Sequence, residues 1–197
     1  MALPVLQYTG PIHLVTTPDE LERAMADLRH ERVVGFDTEK RPTFRKGEVH
    51  APSLVQFATA RGAYLLQLAR LDCTAALTGI FENSKIVKTG IAISRDLFEL
   101  KAIFPFEVQN VVDLGDVVAR HGFKQTGLRN LAGTFLHGRI TKGARTTNWA
   151  NPHLTHSQIR YAATDAWICR ELYQHFDKLG LLKVPHATKT PAQPVVR

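Results

Sequence analysis

The sequence predicts an α/β domain: a mixed sheet with helices on both faces. Three observations carry that prediction. Apolar runs of strand length fill the first third of the chain, V-V-G-F-D-T-E at 33–39, S-L-V-Q-F-A-T at 53–59 and A-Y-L-L-Q-L at 63–68. From residue 72 onward, helical and strand patterns alternate. The 197 residues are 44% hydrophobic and 22% charged, which suits one domain with a full core.

Each element follows from local signals. T-P-D-E at 17–20 starts a helix: Thr17 can cap, Pro18 suits the first turn, and Glu20 stands where a capping box needs it. That helix should run to about His30. The run at 33–39 reads as a buried strand. The next two runs are separated by A-R-G, a hairpin turn, so the sheet should open with three antiparallel strands. A helix near 73–82 precedes the strand K-I-V-K-T at 85–89. The helix from about Ser94 to Phe104 carries Leu97, Leu100 and Phe104 on one stripe. E-V-Q-N-V-V-D at 107–113 reads as a strand, followed by helices near 114–121 and 127–137. Residues 138–150 form a polar, basic loop. T-H-S-Q at 155–158 repeats the capping-box spacing and opens a long helix carrying Tyr161 and Asp165. Beyond Leu182 come Pro185, Pro191 and Pro194 with few apolar residues. A folded domain of 1–182 and a disordered tail of 183–197 are therefore expected.

Composition narrows the function classes. No apolar run reaches the ~18–20 residues that a membrane-spanning helix needs. The N-terminus lacks the basic start and apolar core of a signal peptide. Cys73 and Cys169 are far apart and show no metal-type spacing, so a reducing, cytoplasmic setting is expected. The formal charge of +7, from 25 basic and 18 acidic side chains, suits a polyanionic partner; simple solubility is the plainer reading.

The acids are placed less blandly. Asp37 and Glu39 lie two apart at the end of a strand, where i and i+2 share a face. In open α/β sheets, ligands bind at the carboxyl ends of the strands. Asp96 sits at a helix start, where the dipole favours a carboxylate by ~0.3–1 kcal/mol. Asp165 lies among Ala162, Ala163 and Ala166, with Tyr161 one turn earlier on the same face. Two carboxylates 4 Å apart repel by about 4 kcal/mol at an effective dielectric of 20. Four gathered acids need cations, and an all-oxygen set suits hard divalent ions such as Mg²⁺ or Mn²⁺. Two such ions can clamp a phosphodiester. An acidic pocket in a basic surface is what a nucleic-acid hydrolase needs.

In order along the chain, F-D-T-E (36–39), S-R-D-L-F-E-L (94–100) and Y-A-A-T-D-A-W (161–167) resemble the three motifs of the DEDD superfamily of 3′–5′ exonucleases, tyrosine subclass. The sequence is most similar to the ribonuclease D and Werner-type group. R-P-T-F-R-K-G, L-V-Q-F-A, V-K-T-G-I-A-I and N-W-A-N-P-H-L-T-H-S-Q-I-R add to the likeness, which covers residues 12–178. The resemblance implies a ribonuclease H-like fold with a five- to six-stranded mixed sheet, three antiparallel strands and then parallel ones. It implies Asp37, Glu39, Asp96 and Asp165 as ligands of two divalent ions, and Tyr161 as the group that orients the attacking water. The sister subclass has a histidine five residues before the final aspartate; here Arg160 holds that position. Lys40 and Arg41 stand where many relatives have an aromatic residue, and Arg95 where many have a small polar one.

The expected substrate is the 3′ end of a single strand of DNA or RNA. Lys40, Arg41, Arg45 and Lys46 after the first motif, and Arg139, Lys142 and Arg145 before the final helix, are candidates to track its phosphates. Phe57, Leu97 and Phe98 are near the site in sequence, and the resemblance implies an apolar wedge without saying which residue supplies it. Trp149 and Cys169 read as buried residues, and His153 and His156 as capping-region residues rather than ligands. The alternatives are an RNA-specific trimming or processing nuclease and a non-catalytic binding module on the same fold. The length suggests a stand-alone nuclease, and the oligomeric state is left open.

Overall fold

The computed structural model describes residues 3–141 and 143–183. Of the tail expected at 183–197, residues 184–197 lie outside the described residues. One sheet holds β1 (Ile12–Val15), β2 (Val33–Lys40), β3 (Pro52–Ala58), β4 (Ala63–Gln67), β5 (Val87–Gly90) and β6 (Val111–Asp113). Their order across the sheet is β1-β4-β3-β2-β5-β6. β2, β3 and β4 are antiparallel, as the hairpin signal predicts, and β5 and β6 continue parallel to β2. The helices are α1 (Pro18–Leu28), α2 (Thr74–Phe81), α3 (Ile93–Lys101), α4 (Leu114–Arg120), α5 (Leu128–Phe135) and α6 (His156–Lys178). Both capping boxes form, Thr17 with Glu20 and Thr155 with Gln158.

The sheet divides two cores. Val34 and Phe36 of β2, with Val55, Phe57 and Leu66, meet Met25 and Leu28 of α1, Leu77 and Phe81 of α2, and Leu97 and Leu100 of α3. On the other face, Leu54, Ala63 and Leu65 pack against Ala162 and Ala163 of α6 and Trp149. Beyond α6, Ile168, Cys169 and Leu172 bury against Leu114 and Val118 of α4 and Leu131 of α5. The small residues of α6 let it lie close to β2. A Cβ on Gly35 would fall 1.9 Å from the carbonyl oxygen of Ala166, so only glycine fits there.

Two elements differ from the sequence reading. The four-residue β1 has too short a pattern to be seen alone; it exists by pairing in parallel with β4 at the sheet edge. The last strand covers only 111–113, because Asn110 takes a positive φ of 52° and the chain before it bends across the core. There Phe106 stacks on Phe81 with ring centroids 4.7 Å apart.

Candidate active site

β2 lies between β3 and β5, and the pairing with β3 shifts register between Glu39 and Lys40. The extra residue is Ser53 of β3, which bends that strand and increases the local twist beside Glu39. Gly35 faces α6, so by strand alternation Asp37 and Glu39 do too, and α6 brings Asp165 to meet them. One oxygen from each of Asp37, Glu39 and Asp165 lies within 4.8 Å of the others. Asp165 is only 5% exposed, and its Oδ1 has no hydrogen-bond partner. A buried carboxylate oxygen without a donor is costly unless a cation meets it. Three converging hard oxygen donors, one of them orphaned, fit a divalent metal ion.

Asp96 arrives from the opposite helical layer. It sits in the first turn of α3, which packs on the other face of the sheet. Thr38, between the two β2 acids and pointing the other way, donates its hydroxyl to Asp96 Oδ1 at 2.7 Å. The structure thus gathers three of the four expected acids tightly and holds Asp96 beside them, round the end of β2. Its charge still reaches Asp37 and Glu39.

Burial and mutual repulsion keep protons on this cluster. Burial, followed by the charges of Asp96 and Asp165, lifts Asp37 well above the usual carboxylate range. Glu39 is pushed up to about 10 by burial and then by Asp37, Asp165 and Asp96, with Arg145 pulling the other way. Burial takes Asp165 to about 7 against the downward pull of Tyr161 and Arg129. It takes Asp96 to about 6, eased by the Thr38 hydroxyl. The Tyr161 phenol is raised by burial, then by Asp165 and Glu39, so it keeps its proton.

The basic residues separate into different environments. Lys40 Nζ bonds to the Glu99 carboxylate of α3, which also accepts from Arg95 Nε at 3.2 Å. Lys40 therefore docks the end of β2 onto α3, while Arg95 pairs with Glu99 within the helix. Arg41 and Arg45 flank a surface depression with the exposed Phe44, and Lys46 is exposed nearby. Arg139 Nε donates to the Leu3 carbonyl at 3.2 Å, tying down the N-terminal segment. Arg145 lines a pocket with Tyr161 and Asp165, and Lys142 lies outside the described residues. Arg129 and Asn130 of α5 share that pocket; the sequence offers no signal for them, being polar positions on an ordinary amphipathic helix.

Around the acids, Trp149 is buried and packs on Tyr161 with centroids 6.0 Å apart. Phe57 and Leu97 belong to the core, whereas Phe98, two residues past Asp96, is 76% exposed. Cys169 is buried as expected, and His153 and His156 are exposed, away from the acid trio.

Comparison with known proteins agrees with this geometry. Residues 12–180 match the family model described as a 3′–5′ exonuclease. The exonuclease mut-7 homolog of Aedes aegypti is 29% identical over 193 residues, covering 85% of this chain and 26% of its own length. The mouse bifunctional 3′–5′ exonuclease/ATP-dependent helicase WRN is 30% identical over 189 residues, covering 90% of this chain and 13% of its own length. The chain thus spans about a quarter or less of these two relatives. The crystal structure of the Aedes aegypti Nibbler EXO domain superposes with a TM-score of 0.76 at 26% identity, over 87% of this chain and 90% of that one.

Proposed function

The chain belongs to the 3′–5′ exonuclease family, and on that premise we propose that it hydrolyses phosphodiester bonds one by one from the 3′ end of single-stranded or frayed DNA or RNA. The observation that carries the reading is the convergence of Asp37, Glu39 and Asp165 around a buried, unpartnered carboxylate oxygen, with Tyr161 one turn away on α6. All four acids of the expected set are present, which favours an enzyme over a binding module on the same fold.

Asp37, Glu39 and Asp165, joined by Asp96, would hold two divalent ions, Mg²⁺ or Mn²⁺. Such ions, when bound, acidify a water molecule and offset charge on the leaving oxygen. The chain's own residues do the rest. Tyr161 retains its proton, so its hydroxyl offers both a donor and an acceptor with which to orient a water. Trp149 braces that ring from the buried side. Thr38 fixes one oxygen of Asp96 and leaves the other free to turn toward the trio. Arg41, Arg45 and Lys46 lie on the connection leaving β2 and suit the phosphates of an entering strand.

The test is direct. The protein is incubated with 5′-labelled DNA and RNA strands, with and without Mn²⁺. A metal-dependent ladder that shortens from the 3′ end is expected, and the preferred strand reads out the DNA or RNA specificity. No shortening of either strand in the presence of metal would reject the reading.

A further inference from the structure

We infer that the pocket beside Tyr161 is a subsite for the phosphodiester immediately 5′ of the one that is cut, gripped by Arg129 and Arg145. The inference rests on the exonuclease reading; it adds Arg129, which that reading leaves out, and gives Arg145 a particular phosphate.

The pocket has a volume of 280 Å³ and is walled by the first turn of α5, with Arg129 and Asn130, by Ile140 and Arg145 of the loop before α6, and by Tyr161 and Asp165. Two guanidiniums therefore converge from separate elements. The ion pairs of the molecule use other arginines, Arg61, Arg95 and Arg170. Among the described residues, Arg129 and Arg145 form none. Their charge is felt by the acids instead, Arg129 at Asp165 and Arg145 at Glu39. Cations bound at the trio would satisfy those carboxylates and leave both guanidiniums without a negative counterpart. The planar fork of arginine matches a phosphate group well.

Strand polarity decides which phosphate this is. The scissile phosphodiester must lie against the carboxylates. The departing nucleotide ends in a 3′ hydroxyl and carries no further phosphate. A second phosphate gripped next to the site can only come from the 5′ side. A pocket bordered by Asp165 and Tyr161 is one step from the reacting bond, which makes this contact local to the chemistry rather than part of a general basic surface.

The experiment uses two single strands, one unmodified and one with an uncharged methylphosphonate at the linkage 5′ of the terminal one. Release of only the first nucleotide is followed under single-turnover conditions. Loss of a charge-assisted contact should slow the wild type about tenfold or more. Arg129→Ala and Arg145→Ala, already slowed on the natural strand, should each show a smaller penalty than the wild type, the double variant should be nearly indifferent, and Arg129→Lys should fall between wild type and Arg129→Ala. An equal penalty in wild type and Arg129→Ala, or none in the wild type, would overturn the assignment. The same two strands are titrated onto Asp37→Asn, which is not expected to cleave. Weaker binding of the modified strand, by about tenfold, supports the subsite, and equal affinities refute it. That titration reads the contact even if the wild type shortens no strand, an outcome that would count against the exonuclease reading alone.

Discussion

Asp165 carries the orphaned oxygen of the trio, so replacing it should separate binding from chemistry. Asp165→Asn keeps the shape and removes the charge; strand affinity is expected to stay within about threefold, while cleavage falls at least about a hundredfold. Filter binding and a labelled-strand assay measure the two independently. Thr38 offers a subtler test, because it touches Asp96 without belonging to the trio. Thr38→Val removes the donor and frees the carboxylate to rotate. The metal concentration for half-maximal activity should rise about tenfold, with the maximal rate at saturating metal largely kept. At this scale the acids were legible in the sequence: a D-x-E at a strand end shares a face by simple alternation, and Y-x-x-x-D shares a helical stripe. The bond between Thr38 and Asp96 was not, since 58 residues and the thickness of a sheet separate the partners. Lys40 was read as facing solvent and strand because its partner Glu99 lies 59 residues away. Arg129 carried no local signal of its own.

Among the elements, the contact between β2 and α6 sets the distance between Asp37 and Asp165. Gly35 makes that contact possible, and Ala166 receives it backbone to backbone. Gly35→Ala must push the helix and strand apart, at a cost of about 1–3 kcal/mol or more. The denaturation midpoint should fall, and activity at a temperature where the variant is still folded should fall further, because the same displacement opens the trio. A midpoint drop with unchanged activity would show that the site tolerates the shift. The long helices were legible because their starts are written as capping boxes and their stripes are periodic. β1 was not, because four residues carry too little pattern to stand out and the strand depends on the edge that β4 presents. The final strand was drawn too long because E-V-Q-N at 107–110 was read as continuous with V-V-D, although only Val108 of the four is apolar and the backbone turns at Asn110.

For the whole molecule, the raised acids make stability depend on pH and metal together. A free carboxyl titrates near 4, while Asp96, Asp165 and Glu39 sit at about 6, 7 and 10. Between pH 4 and those values the folded state binds more protons than the unfolded one. The contribution of these groups to stability is therefore complete below about pH 4 and lost as pH rises through 6, 7 and beyond. In a chelator, the melting temperature should fall from pH 5 to pH 8 more steeply than in Mg²⁺, which favours the ionised, folded form. The difference between the two curves should widen with pH, and Asp37→Asn should shrink it. Parallel curves would mean that the cluster holds no metal.

Asp96 comes from the layer of helices on one side of the sheet and Asp165 from the layer on the other. A chain with only one layer docked is a protein without a blade. On the proposed function, strand cleavage should therefore be the last property to return on refolding, trailing the recovery of helical signal.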